Sequence, residues 1–439
     1  MKILLIHPQN YLHSYRTGIY RRVASYSPIT MPLLAALVPK EINADIRIVN
    51  EMIEDTDPET EADLVGITAI AGTSSKAYQL ADTFRSRGIP VVMGGLHATM
   101  MKEEALEHAD SVVCGYAEKT WPQLLGDFCA GKMKRVYREN SDYSFKELPC
   151  PRRELSRKSV YMVADTLELT RGCPRSCEFC VLRGFTGCRY YKKPIYEAID
   201  EVKSLKSKMI LFLDANLVGD KEYAAEFFTR MEPLKKWWAG CATSDIAEDK
   251  GLLRILVRSG CKGLLMGFET LCQDTLDCAG KGFNDAAKYK KTVKVLHDHG
   301  IAVHACFVFG FDSDTRETFE KTYEFVKSSD IDFIQYTLYT PFPGTPLFRK
   351  MEKEGRILTR NWALFNGQNC VFAPRTMSSG DLETNLRKIQ KYTYGLGSTM
   401  ARIRRCPPLL KPLFAAMNLN YGLYTKKIPG VRFAAGGLH

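Results

Sequence analysis

Thr170-Arg-Gly-Cys-Pro-Arg-Ser-Cys-Glu-Phe-Cys-Val181 puts three cysteines, Cys173, Cys177 and Cys180, on one short loop. The spacing Cys-x3-Cys-x2-Cys offers three soft thiolates, enough to hold three irons of a 4Fe-4S cubane while the fourth has no protein ligand. An iron with an open position is a place for chemistry. A structural zinc would want a fourth Cys or His at comparable spacing. The nearest candidate, Cys188, follows Gly184-Phe-Thr-Gly187 with no second Cys-x-x-Cys, and the other cysteines stand singly. Zinc stays open as the weaker reading.

With the aromatic Phe179 just before the last cysteine, the motif resembles the signature of the radical S-adenosylmethionine (SAM) enzymes. The resemblance implies that the amine and carboxylate of SAM chelate the open iron. One electron from the cluster then cleaves the sulfonium to methionine and a 5′-deoxyadenosyl radical. The cofactors carry the hard chemistry and the protein positions them.

At 439 residues with 45% hydrophobic content, the chain has material for about two to three domains. Met1-Lys-Ile-Leu-Leu-Ile-His-Pro8 has too short an apolar core for a signal peptide, and no apolar run approaches the roughly twenty residues of a membrane span. Fourteen cysteines and an iron-sulfur motif suit a reducing compartment. The expectation is a cytoplasmic protein, soluble or peripheral to the inner face of the membrane. Net charge is +11, and from Thr384 to the end there are ten Lys or Arg and no Asp or Glu. Interleaved with Leu409, Leu410, Leu413, Phe414, Met417, Leu419, Tyr421 and Phe433, this basic segment reads either as a surface for anionic lipid or as a tail packing on the body of the protein. No nucleic-acid motif organises its charges, and nucleic acid is not an expected partner.

Residues 1–140 read as a doubly wound, Rossmann-like α/β domain. Strands are expected at 2–7, 44–49, 63–70, 89–93 and 111–114, with helices at 31–41, 74–87, 102–108 and 120–131. Such sheets bind ligands beyond the carboxyl ends of their strands. Three of those ends carry small-residue loops, Thr68-Ala-Ile-Ala-Gly-Thr73, Gly94-Gly-Leu-His-Ala-Thr99 and Cys114-Gly-Tyr-Ala-Glu118. This half resembles the cobalamin-binding domain that precedes the barrel in one class of radical SAM enzymes. The resemblance implies that Thr68, Gly94, Gly95, His97, Gly115 and Glu118 flank a corrin. The Asp-x-His-x-x-Gly motif that supplies an axial imidazole elsewhere is absent, since position 11 is Tyr and His13 is followed by Gly18 rather than by a glycine three residues on. The alternative is a degenerate domain that packs or recognises substrate.

After a proline-bearing linker at 141–158, residues 159–375 read as a partial (β/α)6 barrel. Strands are expected at 166–170, 209–213, 238–243, 263–267, 302–309 and 333–338, and helices at 194–205, 221–231, 250–259, 285–299, 315–328 and 347–354. A basic, partly helical segment at 376–439 follows. Asp214 and Asn216 close the second strand with polar side chains suited to a ligand. Gly263-Leu-Leu-Met-Gly-Phe-Glu269 and Ala305-Cys-Phe-Val-Phe-Gly-Phe-Asp312 resemble the fourth- and fifth-strand segments of the family. The resemblance implies that Glu269 helps to seat SAM and that the backbone of Phe309 and Gly310 borders its adenine. With Thr340-Pro-Phe-Pro-Gly-Thr-Pro346, Glu354-Gly-Arg-Ile357 and Trp362, the chain resembles the cobalamin-type branch that contains porphyrin-ring cyclases and hopanoid-modifying enzymes.

The function this implies is a cobalamin-dependent radical SAM methyltransferase acting on an unactivated carbon of a lipid, tetrapyrrole or other natural product. Alternatives are a radical cyclase or oxidative rearrangement enzyme using the same parts, and a non-catalytic iron-sulfur or zinc sensor. The remaining cysteines suggest no second cluster, so electrons would come from flavodoxin or ferredoxin. Tyr339 is the candidate for quenching a radical or donating a hydrogen bond, whereas His97, His297, His299 and His304 read as structural.

Overall fold

The computed structural model describes residues 1–9, 26–139, 143–157 and 161–425. Tyr11, His13 and Gly18, and Lys426, Lys427, Arg432 and Phe433 of the basic segment, lie outside the described residues. The chain divides into two compact units. The first comprises Met1–Ala164 with Phe342–Gly344 and Asn361–Asn366; the second comprises Asp165–Pro341, Thr345–Arg360 and the chain from Gly367 onward.

The first unit is a six-stranded parallel sheet of β1 (Lys2–His7), β2 (Asp45–Asn50), β3 (Leu64–Thr68), β4 (Val91–Gly94), β5 (Ser111–Cys114) and β6 (Val136–Arg138), ordered β2-β1-β3-β4-β5-β6. Strand β1 shows why the run Ile3-Leu-Leu-Ile6 is apolar throughout. Leu4 and Ile6 pack with Tyr78, Ala81 and Phe84 of the helix Ala71–Ser86, while Ile3 and Leu5 pack with Met31 and Trp121 of the helices Thr30–Ala36 and Thr120–Cys129 on the other face. The helix expected over 31–41 stops at Ala36. Pro39, which cannot donate to the preceding turn, leads instead into a short 3-10 turn at Lys40–Ile42. The order reverses between β1 and β3, the position where such sheets open a crevice.

The second unit is built on an open parallel sheet of β7 (Asp165–Leu167), β10 (Met209–Phe212), β11 (Trp237–Cys241), β12 (Cys261–Glu269), β13 (Ala302–Phe309) and β14 (Phe333–Leu338), in that spatial order. The strand expected at 166–170 is divided. After β7 the chain starts again as β8 (Thr170–Gly172), which pairs antiparallel with β9 (Tyr190–Lys192). Alternation along β13 separates core from interior. Phe307 and Phe309 meet Phe325 and Phe319 of the helix Arg316–Ser328, whereas His304 and Cys306 stay part-exposed on the other side. Helices Ser379–Thr393, Leu396–Arg405 and Lys411–Thr425 give the basic segment its structure. Tyr394, Cys406, Leu410 and Phe414 pack there against Ala302 and Phe333, the first residues of β13 and β14.

Candidate active site

The cysteine run leaves the carboxyl side of the barrel between β8 and the short helix Val181–Thr186, and several ties hold it. Asp214, just beyond β10 and 1% exposed, accepts hydrogen bonds from the Leu169 amide at 3.1 Å, the Thr170 hydroxyl at 2.6 Å and the Thr170 amide. Burial outweighs these donors and pushes its carboxyl up to about 7. Gly172 has φ +81°, and a Cβ there would lie 2.1 Å from the Arg189 carbonyl oxygen, so only glycine lets β8 and β9 approach. The Glu178 amide donates to the Ala279 carbonyl at 3.1 Å, and Gly280, at φ +73°, lies against Ser176.

Cys173, Cys177 and Cys180 are free thiols on this pinned loop. Burial pushes Cys177 up to about 11 and raises Cys180. Three soft donors on one held loop fit an iron-sulfur cluster. Among the described residues no three His, Cys, Asp or Glu side chains converge as a single metal ion needs. A cubane, in which each thiolate takes its own iron, does not ask for that convergence.

Around the loop, the structure places the other expected residues in different roles. Asn216 is 1% exposed; its Oδ1 accepts the Val218 amide at 3.3 Å, while its Nδ2 is a buried donor without a hydrogen-bond partner. Such an atom suits a ligand carboxylate or carbonyl. Glu269 follows a register shift in β12 and has φ +63°, a left-handed conformation rare for a side chain of this size. Its carboxylate meets Lys281 Nζ at 2.5 Å, and Lys281 also donates to the Gly267 carbonyl at 3.1 Å. Phe309 is stacked on Phe319 in the core, so only its backbone is available to a ligand; Gly310, φ +105°, donates its amide to Asp314 at 2.8 Å. Phe179 lies edge-on to Tyr339 and Phe311, with ring centres at 5.7 and 6.5 Å. The Tyr339 hydroxyl donates to Glu178, inside the cysteine run, and burial with that carboxylate raises its pKa. Tyr339 therefore joins the last strand's exit to the cysteine loop.

Sequence reasoning missed Lys281, whose ammonium opposes the burial shift of Cys177. The available signal was Ala279-Gly-Lys-Gly282, a basic residue between two glycines. It also missed Arg175, which meets Asp245 at 3.3 Å and covers the ring of Phe283 at 4.3 Å. On the inner side of β13, burial drives His304 down to about 4 and leaves it neutral, against a hydrogen bond to Gln335 that favours the protonated ring.

In the first unit, Thr68, Gly94, Gly95 and Gly115 come together at the carboxyl ends of β3, β4 and β5. The Ala69 amide donates to the Gly94 carbonyl and the His97 amide to the Ala69 carbonyl, both at 2.9 Å. A Cβ at Gly95, φ +94°, would lie 2.7 Å from both the Ala69 carbonyl oxygen and the Thr68 hydroxyl. The Thr99 hydroxyl accepts the Gly115 amide at 3.0 Å, and a Cβ at Gly115 would meet nothing within 4 Å. Ile70, half exposed, adds an apolar side chain to this ledge, and Glu118 accepts the Tyr143 hydroxyl at 3.3 Å. Built of small residues with open space at Gly115 and the half-exposed Ile70 beside it, the ledge lets a macrocycle approach on backbone. His97 Nε2 is engaged: buried, it faces Tyr78 Oη at 3.1 Å and Glu104 at 3.6 Å, with the ring edge-on to Trp362, whose indole donates to Glu104 at 2.7 Å, while Nδ1 is buried with no hydrogen-bond partner.

Residues 167–326 match the radical SAM superfamily and residues 22–125 the B12 binding domain. The chain is 30% identical over 398 residues to the bacteriochlorophyllide d C-12(1)-methyltransferase of Chlorobaculum tepidum, covering 87% of this chain and 85% of that one. It belongs to the radical SAM enzymes that carry a B12-binding domain. A second relative, the bacteriochlorophyllide d C-8(2)-methyltransferase of the same organism, is 30% identical over 362 residues, 78% of this chain and 80% of its own. The radical SAM methyltransferase TsrM from Kitasatospora setae, solved with cobalamin and a 4Fe-4S cluster bound, superposes with a TM-score of 0.65 over 80% of this chain and 75% of its own. At 16% identity that likeness speaks to the fold, and it agrees with the sheet-plus-barrel architecture of this radical SAM enzyme.

Proposed function

We propose that this radical SAM enzyme transfers a methyl group to an unactivated carbon of a small hydrophobic molecule, with a tetrapyrrole first among the candidates and an isoprenoid lipid second. The observation that carries the reading is the pinned three-thiol loop in a chain 30% identical, over most of both lengths, to a methyltransferase of a chlorophyll-type ring. When bound, the 4Fe-4S cluster delivers an electron to SAM and cobalamin supplies a transferable methyl group. Cys173, Cys177 and Cys180 would hold the cluster. Asn216 Nδ2 offers a donor and Glu269 with Lys281 a charge pair to the polar groups of SAM, while the backbone at Phe309 and Gly310 borders its base. Asp214 and Tyr339 act on the loop rather than on the ligand, keeping its two ends in register. Thr68, Gly94, Gly95 and Gly115 would carry the corrin on backbone, with Glu118 at the margin. Electrons would come from flavodoxin or ferredoxin, and the basic segment from 384 onward would give peripheral contact with the inner face of a membrane.

The test is anaerobic turnover of reconstituted enzyme with SAM deuterated in its methyl group and bacteriochlorophyllide d as probe. Expected are 5′-deoxyadenosine, S-adenosylhomocysteine and a product carrying the labelled methyl. 5′-Deoxyadenosine with no S-adenosylhomocysteine and an oxidised, unmethylated product would make the chain a cyclase or rearrangement enzyme instead. No consumption of SAM at all would leave the sensor reading.

A further inference from the structure

Eleven large hydrophobic residues are exposed among the described residues, and six of them, Tyr392, Leu396, Met400, Leu409, Leu419 and Leu423, lie within one short stretch of the C-terminal helices. Leu396 is 77% and Leu409 62% exposed. Leu396 and Met400 are one helical turn apart, with Arg404 on the next turn of the same stripe; Leu419 and Leu423 repeat the spacing on the helix Lys411–Thr425. The apolar residues interleaved with the basic segment are thus divided: Leu410 and Phe414 are buried on the barrel, while Leu409 and Leu419 are not.

The helices form a platform rather than a loose tail. Arg402 is buried, and its guanidinium donates to the Thr393 carbonyl at 2.6 Å and to Asn418 Oδ1 at 2.9 Å; Asn418 Nδ2 donates in turn to the Asp332 carbonyl at 2.9 Å. Lys388, Lys391 and Arg404 are exposed, and no acidic residue occurs from Thr384 onward.

We infer that this platform docks on the surface of an anionic lipid bilayer. Exposed aliphatic side chains enter the headgroup–acyl boundary while Lys and Arg stems extend to anionic headgroups. Charge selects this occupant: a second copy would bring the same positive patch against itself. Among the described residues no helix is long and apolar enough to cross a membrane, so the platform lies on the bilayer. It packs at the amino-terminal ends of β13 and β14, whereas the cysteine loop leaves the carboxyl side of the parallel sheet. Docking therefore leaves the barrel mouth open. The inference rests on the peripheral contact proposed above and not on methyl transfer.

The test is sedimentation of full-length reconstituted enzyme with vesicles of phosphatidylcholine alone and of phosphatidylcholine with phosphatidylglycerol, at low and high salt. The wild type should bind only the anionic vesicles and weaken as salt rises. Leu396→Ser with Met400→Ser, and separately Lys388→Glu with Lys391→Glu and Arg404→Glu, should each lower affinity by roughly tenfold or more, with SAM cleavage in solution retained. Wild-type protein that stays in the supernatant overturns both the peripheral contact and the surface. Wild-type binding that neither variant weakens overturns the surface alone, whereas a concentration-dependent dimer that the serine variant dissociates, with no binding to either vesicle, overturns both and makes this face a contact between two copies of the chain. If the serine variant fails to fold, the charge reversals, confined to exposed side chains, decide.

Discussion

The cysteine loop of the second unit and the glycine ledge of the first are both candidate ligand sites at the carboxyl ends of parallel strands, yet they are written in different chemical alphabets. Iron needs donor atoms, so the loop is specified by side chains at fixed spacing. A flat macrocycle needs room and backbone, so the ledge is specified by what is missing: a Cβ at Gly95 would collide with Ala69 and Thr68. Side-chain donors are legible in a single sequence. Omitted side chains are much less so, because glycine serves ordinary tight turns equally well.

The comparison breaks first at the loop. Replacing Cys173, Cys177 and Cys180 together with Ala should abolish iron-sulfur absorbance and 5′-deoxyadenosine formation after anaerobic reconstitution, while cobalamin is still retained by the first unit. A triple variant that continued to cleave SAM would remove the thiolates from the mechanism. The complementary break is Gly95→Val. A β-branched residue at φ +94° is strained by about 1–2 kcal/mol before the backbone collision is added, so the variant should lose at least about 2 kcal/mol of stability. It should also lose bound cobalamin while keeping the cluster spectrum. Cobalamin retained at wild-type stoichiometry would move the corrin away from this ledge.

Much of the architecture was readable because strand and helix periods were strong. β1, β13 and β14 fall where their apolar runs are, and the helices 102–108 and 221–231 have the expected bounds. The β8 and β9 ribbon was not readable, since three residues per strand carry no period and the pairing depends on Gly172 accepting contact with Arg189. Glu269 ends the strand its apolar run marks, but its partner Lys281 arrives from a loop twelve residues on and no local pattern announces the pairing. In the sequence Asp214 reads as a polar strand end for a ligand. Its oxygens instead hold backbone amides more than forty residues earlier, a relation that no local pattern encodes.

His97 sharpens the contrast within the ledge. If the backbone of its loop meets the corrin while its imidazole braces Tyr78 and Glu104, His97→Phe should lower stability by about 1–3 kcal/mol through the broken buried network, yet leave cobalamin content unchanged. Chemical denaturation and the cobalamin absorbance of purified protein measure the two together. Loss of cobalamin with unchanged stability would reverse the assignment and make the imidazole a contact of the corrin.

The smallest effect concerns Asp214, where the two alphabets meet, because a side chain there holds backbone. Its carboxyl is raised from 3.8 to about 7 by burial, so between those values the folded chain keeps a proton that the unfolded chain has released. Stability from this group is then fully present below the unfolded pKa and is lost as pH rises through the folded one. In Asp214→Asn that titration is absent, whatever the variant costs overall through its altered hydrogen bonds to Leu169 and Thr170. The difference in unfolding free energy, wild type minus variant, should therefore fall between about pH 5.5 and about pH 7, with a slope of at most about 1.4 kcal/mol per pH unit, and level off by about pH 8.5. Taking the difference between two reconstituted proteins cancels the pH dependence they share. A difference that instead rises with pH over this window would mean that the amides of Leu169 and Thr170 and the Thr170 hydroxyl outweigh burial, and that Asp214 grips the start of the cysteine loop as a full carboxylate.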